Sequence, residues 1–216
     1  MITNFYAAKQ FVQNARESQV HESISGPGSS IANTVEVRDL IQEVITNYNI
    51  KSILDLGCGD WNWFKLINLS GVIYEGWDSD TDMISLNQSN YGNDNIRFKT
   101  YDIVLSDYPE VDLIICRDVL FHLPIHLANK IIKKSLHSCK YFISTCFRDI
   151  DKNKGLKPSE DWGYYPINLN IDPFNLSSYE NKFQREMLGA SPNGIILSPQ
   201  RYISLYDFTK FEKMNS

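Results

Sequence analysis

The chain contains 216 residues, of which 43% are hydrophobic and 22% are charged, and its formal net charge is −5. This length and composition are typical of one globular domain and exclude a disordered or fibrous chain. The negative charge argues against a nucleic-acid partner, because binding to phosphates generally requires a basic surface. The longest apolar runs are too short to cross a bilayer and residues 1–6 do not resemble a secretory signal, so we expect a cytoplasmic protein without a membrane segment.

The spacing of the cysteines and histidines indicates neither a disulfide nor a metal site. His122 and His126 are four residues apart, but no third ligand accompanies them in the sequence. We therefore predict reduced thiols and no bound metal. The cysteines, which lack CxxC spacing, are Cys58, Cys116, Cys139 and Cys146.

The predicted elements follow one another in the order expected of a parallel sheet. Apolar residues at helical spacing predict helices over 4–18 and over 35–45, separated by the glycine-rich loop Ser25–Ser30. Strands and helices alternate after that point, which predicts parallel strands with crossover helices. The predicted strands are 52–56, 72–78, 96–102, 111–116 and 141–146, and the predicted helices lie near 62–68, 81–89 and 124–136.

The last third of the chain is less regular. Proline and aromatic residues predict an ordered but irregular insertion, and the alternating segments 181–187 and 201–208 predict a hairpin. We divide the single predicted domain into four parts. These are an N-terminal helix and lid loop (1–34), a cofactor-binding core (35–147), an acceptor-side insertion (148–178) and a C-terminal hairpin (179–216).

A glycine turn follows the first predicted strand, in the sequence Ile53-Leu54-Asp55-Leu56-Gly57-Cys58-Gly59-Asp60. Glycines at such a turn let a ligand approach the backbone closely. A dinucleotide is disfavoured, because Asp55 and Asp60 would repel its pyrophosphate and Asn62 stands at the third glycine position. The same carboxylates suit the ammonium and sulfonium groups of S-adenosylmethionine. The turn therefore predicts a binding site for that cofactor.

Acidic residues also end the next two predicted strands. Asp78 is placed to bind the ribose hydroxyls, and Asp102, beside Ile103, to accept from the adenine amine. The alternative for each aspartate is a helix cap or a loop carboxylate. Their joint position at the carboxyl ends of successive parallel strands favours a ligand site.

These motifs resemble those of the class I S-adenosylmethionine-dependent methyltransferases, whose first motif is matched by Leu54-Asp55-Leu56-Gly57-Cys58-Gly59. The resemblance implies a Rossmann-like α/β fold with a seven-stranded, mostly parallel sheet, helices on both faces and a reversed last strand. Three further segments resemble bacterial methyltransferases often associated with surface-glycan genes, whereas Ser198-Pro199-Gln200-Arg201 departs from their pattern. The three segments are Cys58-Gly59-Asp60-Trp61-Asn62-Trp63, Cys116-Arg117-Asp118 with His122, and Pro173-Phe174-Asn175-Leu176.

Candidate catalytic residues follow the fourth predicted strand, at the rim that faces the cofactor. Methyl transfer to a hydroxyl requires removal of a proton, and His122 is the candidate general base. Asp118 is placed to orient His122 or to contact the acceptor. The alternatives are that His122 caps the following helix or packs under the cofactor, and that Arg117 is a surface cation balancing Asp118.

The remaining predicted site residues fall into two sets. Aromatic faces and amides suit a polyhydroxylated acceptor, which we expect to contact Trp162, Tyr164, Asn168 and Phe174. Trp63 is assigned to the core, and Ser25–Ser30 is interpreted as a lid, with a plain linker as the alternative. The predicted cofactor contacts are Asp55, Leu56, Gly57, Cys58, Gly59, Trp61, Asp78, Ser79, Asp102, Ile103 and Arg117.

We therefore predict a methyltransferase that uses S-adenosylmethionine to methylate an oxygen of a small molecule or glycan. One alternative is a non-catalytic cofactor-binding protein of the same fold, because a fold does not establish turnover. A nicotinamide-dependent oxidoreductase is the other alternative, disfavoured by Asp55 and Asn62.

Overall fold

The computed structural model describes residues 22–153, 165–186, 200–209 and 211. The predicted helix over 4–18 lies outside these residues. The α-helices of the described ranges are α1 (Val35–Asn47), α2 (Thr81–Tyr91) and α3 (Ile125–Ser138). Within the same ranges, none of the helices is both long enough and apolar enough to pass through a bilayer.

The strands of the described chain form a single mixed sheet in the order β3-β2-β1-β4-β5-β7-β6. Strands β1 to β5 pair in parallel, whereas β7 is antiparallel to both β5 and β6. This arrangement confirms the predicted Rossmann-like sheet with a reversed last strand. The strands are β1 (Ser52–Leu56), β2 (Ile73–Asp78), β3 (Ile96–Thr100), β4 (Val111–Cys116), β5 (Cys139–Cys146), β6 (Glu180–Arg185) and β7 (Tyr202–Asp207).

The order of the strands places a switch point at the carboxyl end of β1. β1 lies between β2 and β4, so the chain leaves β1 toward one side of the sheet and later returns to its other side. In open α/β sheets, ligands bind outside the carboxyl ends of the strands at such a switch point. The glycine turn after β1 is located at this position.

Helices cover both faces of the sheet because each has one apolar side. Neighbouring residues of a strand point to opposite faces, and Ile53 and Leu54 of β1 belong to different buried clusters. The apolar side of α1 joins the cluster of Ile53, and that of α3 joins the cluster of Leu54. The buried residues concerned are Val37, Leu40, Ile41 and Val44 of α1 and Ala128, Ile131 and Ile132 of α3.

The prediction of an α-helix near 62–68 is wrong. The structure has only a short 3-10 turn there, Phe64–Leu66. Ile67, which follows this turn, is extended, with φ of −82° and ψ of 136°, so the helical conformation does not continue past Leu66. Asn62 donates through its side chain to Glu22 (2.7 Å) and to the carbonyl of Ser29 (3.1 Å), which ties this connection to the N-terminal loop.

The described parts of the insertion, residues 148–153 and 165–178, contain neither helix nor strand. Residues 165–178 are nevertheless ordered by burial, because Ile167, Leu169 and Leu176 belong to the cluster that α3 covers. The amide of Phe147 donates to the carbonyl of Ile167 at 2.8 Å. The described residues of the insertion are therefore irregular, as predicted, and are held in place by buried apolar side chains.

Candidate active site

The glycine turn is closed by backbone hydrogen bonds to the end of β2. The amides of Gly57 and Cys58 donate to the carbonyl of Trp77 at 2.8 and 3.1 Å. Gly57 and Gly59 have φ of 77° and 58°, a region that residues with side chains rarely adopt. A Cβ on Gly57 would also lie 2.4 Å from Cγ2 of Val119. The turn therefore needs glycine both for its conformation and for the close approach of the segment after β4.

Asp78 ends β2 and contacts the glycine turn directly. One carboxylate oxygen accepts from the amide of Gly59 (3.2 Å) and the other from the amide of Asp80 (3.1 Å). Burial raises the pKa of this carboxyl, although the hydrogen bonds from the backbone oppose that shift. Carboxylate oxygens can each accept more than one hydrogen bond. Asp78 is thus oriented by the backbone and can still accept from ligand hydroxyls.

Asp55 places a second carboxyl near the turn, in a buried position on β1. It accepts from the hydroxyl of Tyr74 at 2.8 Å. Burial raises its pKa to about 7, and the charge of Asp78 acts in the same direction. A carboxyl in this state favours a cationic neighbour, because an opposite charge restores the ionised form.

Asp118 and His122, the two candidate catalytic residues, lie together after β4. The backbone amide of Asp118 donates to the hydroxyl of Thr145 (2.9 Å), and that hydroxyl donates to the Asp118 carboxylate (2.8 Å). His122 ends the short turn Leu120–His122. It lies close enough to Asp118 to help lower the pKa of that carboxyl. The structure therefore places the two residues in the same segment after β4, close enough for the charge of one to act on the other.

Four charged side chains form a closed ring at this edge, which we call the charged ring: Arg117, Asp118, Glu186 and Arg201. Arg117 contacts Asp118 at 3.2 Å and Glu186 at 2.9 Å. Arg201 contacts the same two carboxylates, Asp118 at 2.8 Å and Glu186 at 2.7 Å. The side chains of Arg117, Glu186 and Arg201 are only 3%, 0% and 9% exposed. The sequence predicted Arg117 as a cofactor contact and Asp118 as a catalytic residue, and it did not indicate Glu186 or Arg201 as site residues.

The charged ring determines the protonation of Asp118. Burial alone would raise the pKa of this carboxyl, but the cations of Arg117 and Arg201 and the hydrogen bond from Thr145 outweigh burial. The pKa of Asp118 is therefore lowered, and the side chain is an anion at neutral pH.

The loop before α1 is attached to both parts of the site. Ser23 donates through its hydroxyl to the Asp60 carboxylate at 2.8 Å, and the amide of Ile24 donates to the same group at 2.9 Å. The amide of Asp60 in turn donates to the hydroxyl of Ser25 at 2.9 Å. Further along, the carbonyl of Gly28 accepts from Arg117 at 3.0 Å. Residues 23–28 therefore run from the glycine turn to the charged ring, where the sequence places the predicted lid.

Trp61 requires a correction. Its ring is buried among Phe64, Tyr74, Tyr91 and Phe98, with ring centroids 5.0 to 6.0 Å apart. The side chain thus belongs to the core rather than to the cofactor contacts predicted for it. Trp63 is buried as expected. The guanidinium of Arg117 lies 5.3 Å from the centre of the Trp63 ring, so this core residue also supports the charged ring.

The predicted acceptor contacts of Asn168 and Phe174 are corrected as well. Asn168 is buried, and its amide nitrogen donates to the carbonyls of Arg148 (3.1 Å) and Ile150 (2.9 Å). Phe174 is buried in the cluster that α3 covers. Both side chains hold the insertion in place instead of facing a ligand. Trp162 and Tyr164 lie outside the described residues.

The other predicted cofactor contacts lie around the turn and after β3. The Asp102 carboxylate accepts from the amides of Val104 (2.8 Å) and Leu105 (3.2 Å), which is the local capping role of an aspartate in a loop. The carbonyl of Ile103 accepts from Lys134 at 2.8 Å. The adenine contact of this loop stays a prediction. Leu56 and Cys58 have buried side chains, and Ser79 follows Asp78.

The strand order, the reversed β7 and the glycine turn after β1 define the class. The fold is that of the class I S-adenosylmethionine-dependent methyltransferases. The structure is similar to magnesium protoporphyrin IX methyltransferase ChlM from Synechocystis PCC 6803 with bound S-adenosylhomocysteine, at a TM-score of 0.66 and 17% identity over 94% of this chain and 98% of that chain. It is also similar to the N-methyltransferase NodS from Bradyrhizobium japonicum WM9 in complex with S-adenosylhomocysteine, at a TM-score of 0.64 and 12% identity over 91% of this chain and 97% of that chain.

One curated protein is similar in sequence, the phosphoethanolamine N-methyltransferase of Plasmodium falciparum (isolate 3D7). The two are 29% identical over 143 residues, which cover 62% of this chain and 53% of that protein. The chain therefore spans about half the length of this relative. No model of a protein family matches the chain.

Proposed function

We propose that the protein is a methyltransferase that uses S-adenosylmethionine to methylate an oxygen of a small molecule or glycan. The observation that carries this proposal is the position of Asp118 and His122 beside the glycine turn. Val119, which follows Asp118, lies so close to Gly57 that a Cβ there would clash with it. A ligand seated on the turn would therefore lie beside the candidate base.

The residues around the turn fit this cofactor. The raised pKa of Asp55 indicates a carboxyl that gains from a cationic neighbour, and S-adenosylmethionine carries an ammonium and a sulfonium. Asp78 is held by two backbone amides and has lone pairs left for hydroxyls. We therefore assign Asp55 to the cationic part of the cofactor, Asp78 to its ribose, and Asp102 with Ile103 to its adenine.

The chemistry asked of the protein is removal of one proton from the acceptor. S-adenosylmethionine, when bound, supplies an electrophilic methyl group on a sulfonium. His122 accepts the proton of the acceptor hydroxyl, and the Asp118 anion stabilises the imidazolium that results. Thr145 and the two arginines fix the Asp118 carboxylate, so the dyad is oriented before an acceptor arrives.

Labelled-methyl transfer to a panel of hydroxyl acceptors tests the proposal. We expect His122→Ala to lower kcat by roughly 10²- to 10⁴-fold, the usual contribution of a general base, while S-adenosylhomocysteine affinity stays within a few-fold. His126→Ala is the matched control, because His126 is exposed on α3 and should behave as wild type. Full activity in His122→Ala would contradict the assigned base. Hydride transfer from a nicotinamide cofactor would instead favour the oxidoreductase.

An amine acceptor is a second candidate, favoured by the similarity to the phosphoethanolamine N-methyltransferase. The same dyad can remove a proton from an ammonium before transfer. Phosphoethanolamine and hydroxyl compounds should therefore be tested side by side. The ¹³C shift of the transferred methyl group distinguishes an N-methyl from an O-methyl product.

A further inference from the structure

The charged ring joins parts of the chain that are far apart in sequence. Arg117 and Asp118 follow β4, Glu186 follows β6 and Arg201 precedes β7. We propose that Glu186 and Arg201 are positioning residues that hold the Asp118 carboxylate in the orientation its partnership with His122 requires. This inference rests on the proposed function, because it assigns the ring to the catalytic dyad.

Both oxygens of the Asp118 carboxylate are fixed. One accepts from Thr145 (2.8 Å), and the other contacts Arg117 (3.2 Å) and Arg201 (2.8 Å). The backbone is fixed as well, with φ of 58° at Asp118, a conformation that persists only where its surroundings enforce it. Rotation of the carboxylate would break contacts to β5 and to the start of β7 together.

Glu186 is needed because it balances the arginines. Without it, Asp118 would be the single carboxylate of the ring facing two buried guanidinium groups. Arg117 would keep its contacts with Asp118, the carbonyl of Gly28 and the ring of Trp63, but Arg201 would lose one of its two carboxylate partners. With it, each arginine lies between two carboxylates and the ring is electrically neutral. The β-hairpin itself does not depend on these contacts, since β7 pairs with β5 from Cys146↔Tyr202 to Tyr141↔Asp207.

Charged and titratable groups surround the Asp118 carboxylate, to which β5 contributes the uncharged hydroxyl of Thr145. A change in the charged ring should therefore alter two titrations that can be measured, that of the Asp118 carboxyl and that of the His122 imidazole. The groups are Arg117 and His122 of its own segment, Arg201 before β7, and, one contact further away, Glu186 after β6, Asp55 of β1 and Cys116 of β4.

Arg201→Gln removes one cation from Asp118. The less compensated Asp118 anion should then shift the titration of His122, which must be neutral to accept a proton, to higher pH. The acid limb of kcat plotted against pH should therefore move to higher pH, with kcat at the acid end roughly tenfold lower and the acceptor KM within a few-fold. Arg201→Lys keeps the charge and should keep the wild-type limb, with a lower kcat because the two-armed contact is lost. Glu186→Gln should lower kcat without moving the limb to higher pH.

NMR titration of the His122 imidazole tests the role of the charged ring without relying on methyl transfer. In Arg201→Gln, the less compensated Asp118 anion should shift the titration of His122 to higher pH, whereas Glu186→Gln should shift it to lower pH. Arg148→Gln is the matched control, because Arg148 pairs with Glu180 at the other end of β6 and does not contact the ring. It should leave the titration unchanged.

Removing one member of a buried ion pair can prevent folding. The double variant Arg201→Gln/Glu186→Gln keeps the ring neutral. Because the two single variants shift the His122 titration in opposite directions, the double variant should show a smaller net shift, and its kcat should be lower than that of wild type. A His122 titration and an acid limb that match wild type in every folded ring variant would overturn the positioning role. A shifted His122 titration in a protein that transfers no methyl group would uphold the ring and contradict the proposed function.

Discussion

Asp55 is a residue whose charge changes near neutral pH, because burial raises its pKa to about 7. A cationic ligand binds better to the ionised carboxylate, which is the minor form at pH 6 and the major form at pH 8. We therefore expect the affinity for S-adenosylhomocysteine to rise about tenfold between these two pH values. Isothermal titration calorimetry across this range measures the change.

The control for Asp55 is Asp55→Asn. An asparagine oxygen can still accept from the hydroxyl of Tyr74, but the side chain does not titrate. Its affinity should be lower at pH 8 and nearly constant with pH. If the affinity of Asp55→Asn for S-adenosylhomocysteine rose with pH as much as that of wild type, a group other than Asp55 would cause the pH dependence.

At the scale of single residues, the sequence predicts the positions of the polar strand-end residues better than those of the aromatic side chains. Asp78, Asp118 and His122 could be placed together because the carboxyl ends of parallel strands meet at one edge. Trp61 could not, since the same aromatic chemistry suits a ligand site and a core. Glu186 could not either, because its ion pairs form with residues far away in the chain and depend on the fold.

The loop over 23–28 is an element whose attachment can be tested. Asp60 accepts from the hydroxyl of Ser23 and the amide of Ile24, so Asp60→Ala should release the loop from the glycine turn. We expect faster hydrogen exchange at Ile24 and roughly three- to tenfold weaker S-adenosylhomocysteine binding, the effect of losing a charged hydrogen-bond acceptor.

Asp112→Ala provides the comparison for Asp60→Ala. Asp112 likewise accepts from two backbone amides, those of Lys51 (2.8 Å) and Ser52 (3.2 Å), but at the opposite end of β1. Its loss should lower stability without changing ligand affinity. Equal loss of affinity in both variants would mean that the loop plays no specific part in binding.

At the scale of elements, apolar spacing predicted the strands well and one helix wrongly. The five predicted parallel strands correspond to β1 to β5 with small changes at their ends. The segment 62–68 has helical spacing of apolar residues, yet Ile67 is extended and Asn62 is bound to the N-terminal loop. The spacing of apolar residues indicates which side chains are buried. The backbone conformation of this segment depends on contacts with another part of the chain.

For the whole molecule, the buried carboxyls predict how stability depends on pH. The folded-state pKa of Asp55 is raised to about 7, and that of Asp78 is raised too. The folded protein therefore binds more protons than the unfolded chain between pH 4 and 7, and its stability falls as pH rises through this range. We expect the free energy of unfolding to be roughly 1 to 3 kcal/mol larger at pH 5 than at pH 8.

Urea unfolding at the two pH values, without ligand, measures this difference. Asp55→Asn should reduce it, because the variant has no carboxyl to protonate at that position. Wild-type protein that is more stable at pH 8 than at pH 5 would contradict the raised pKa values of the buried carboxyls of Asp55 and Asp78. Saturating S-adenosylhomocysteine should also reduce the difference if its ammonium pairs with Asp55.

The topology of the whole sheet was only partly accessible from the pattern of residues. Alternating strands and helices predict the parallel part, and the two final strands read as a hairpin. The pattern does not say which hairpin strand joins β5. The resemblance to the methyltransferases supplied the reversed last strand, and the pairing of β7 with both β5 and β6 agrees with it.

The position of β7 between β5 and β6 has a consequence for how the protein is made. During translation, β1 to β5 leave the ribosome with the glycine turn, Asp78 and the Asp118–His122 dyad before Arg201 has been synthesised. A nascent chain at that stage contains the proposed cofactor seat, but its charged ring is open and β6 has no neighbour. Insertion of β7 between β5 and β6 then pairs both strands and closes the ring in one step. The carboxylate of Asp118 is thus held by the complete ring only after β7 is in place.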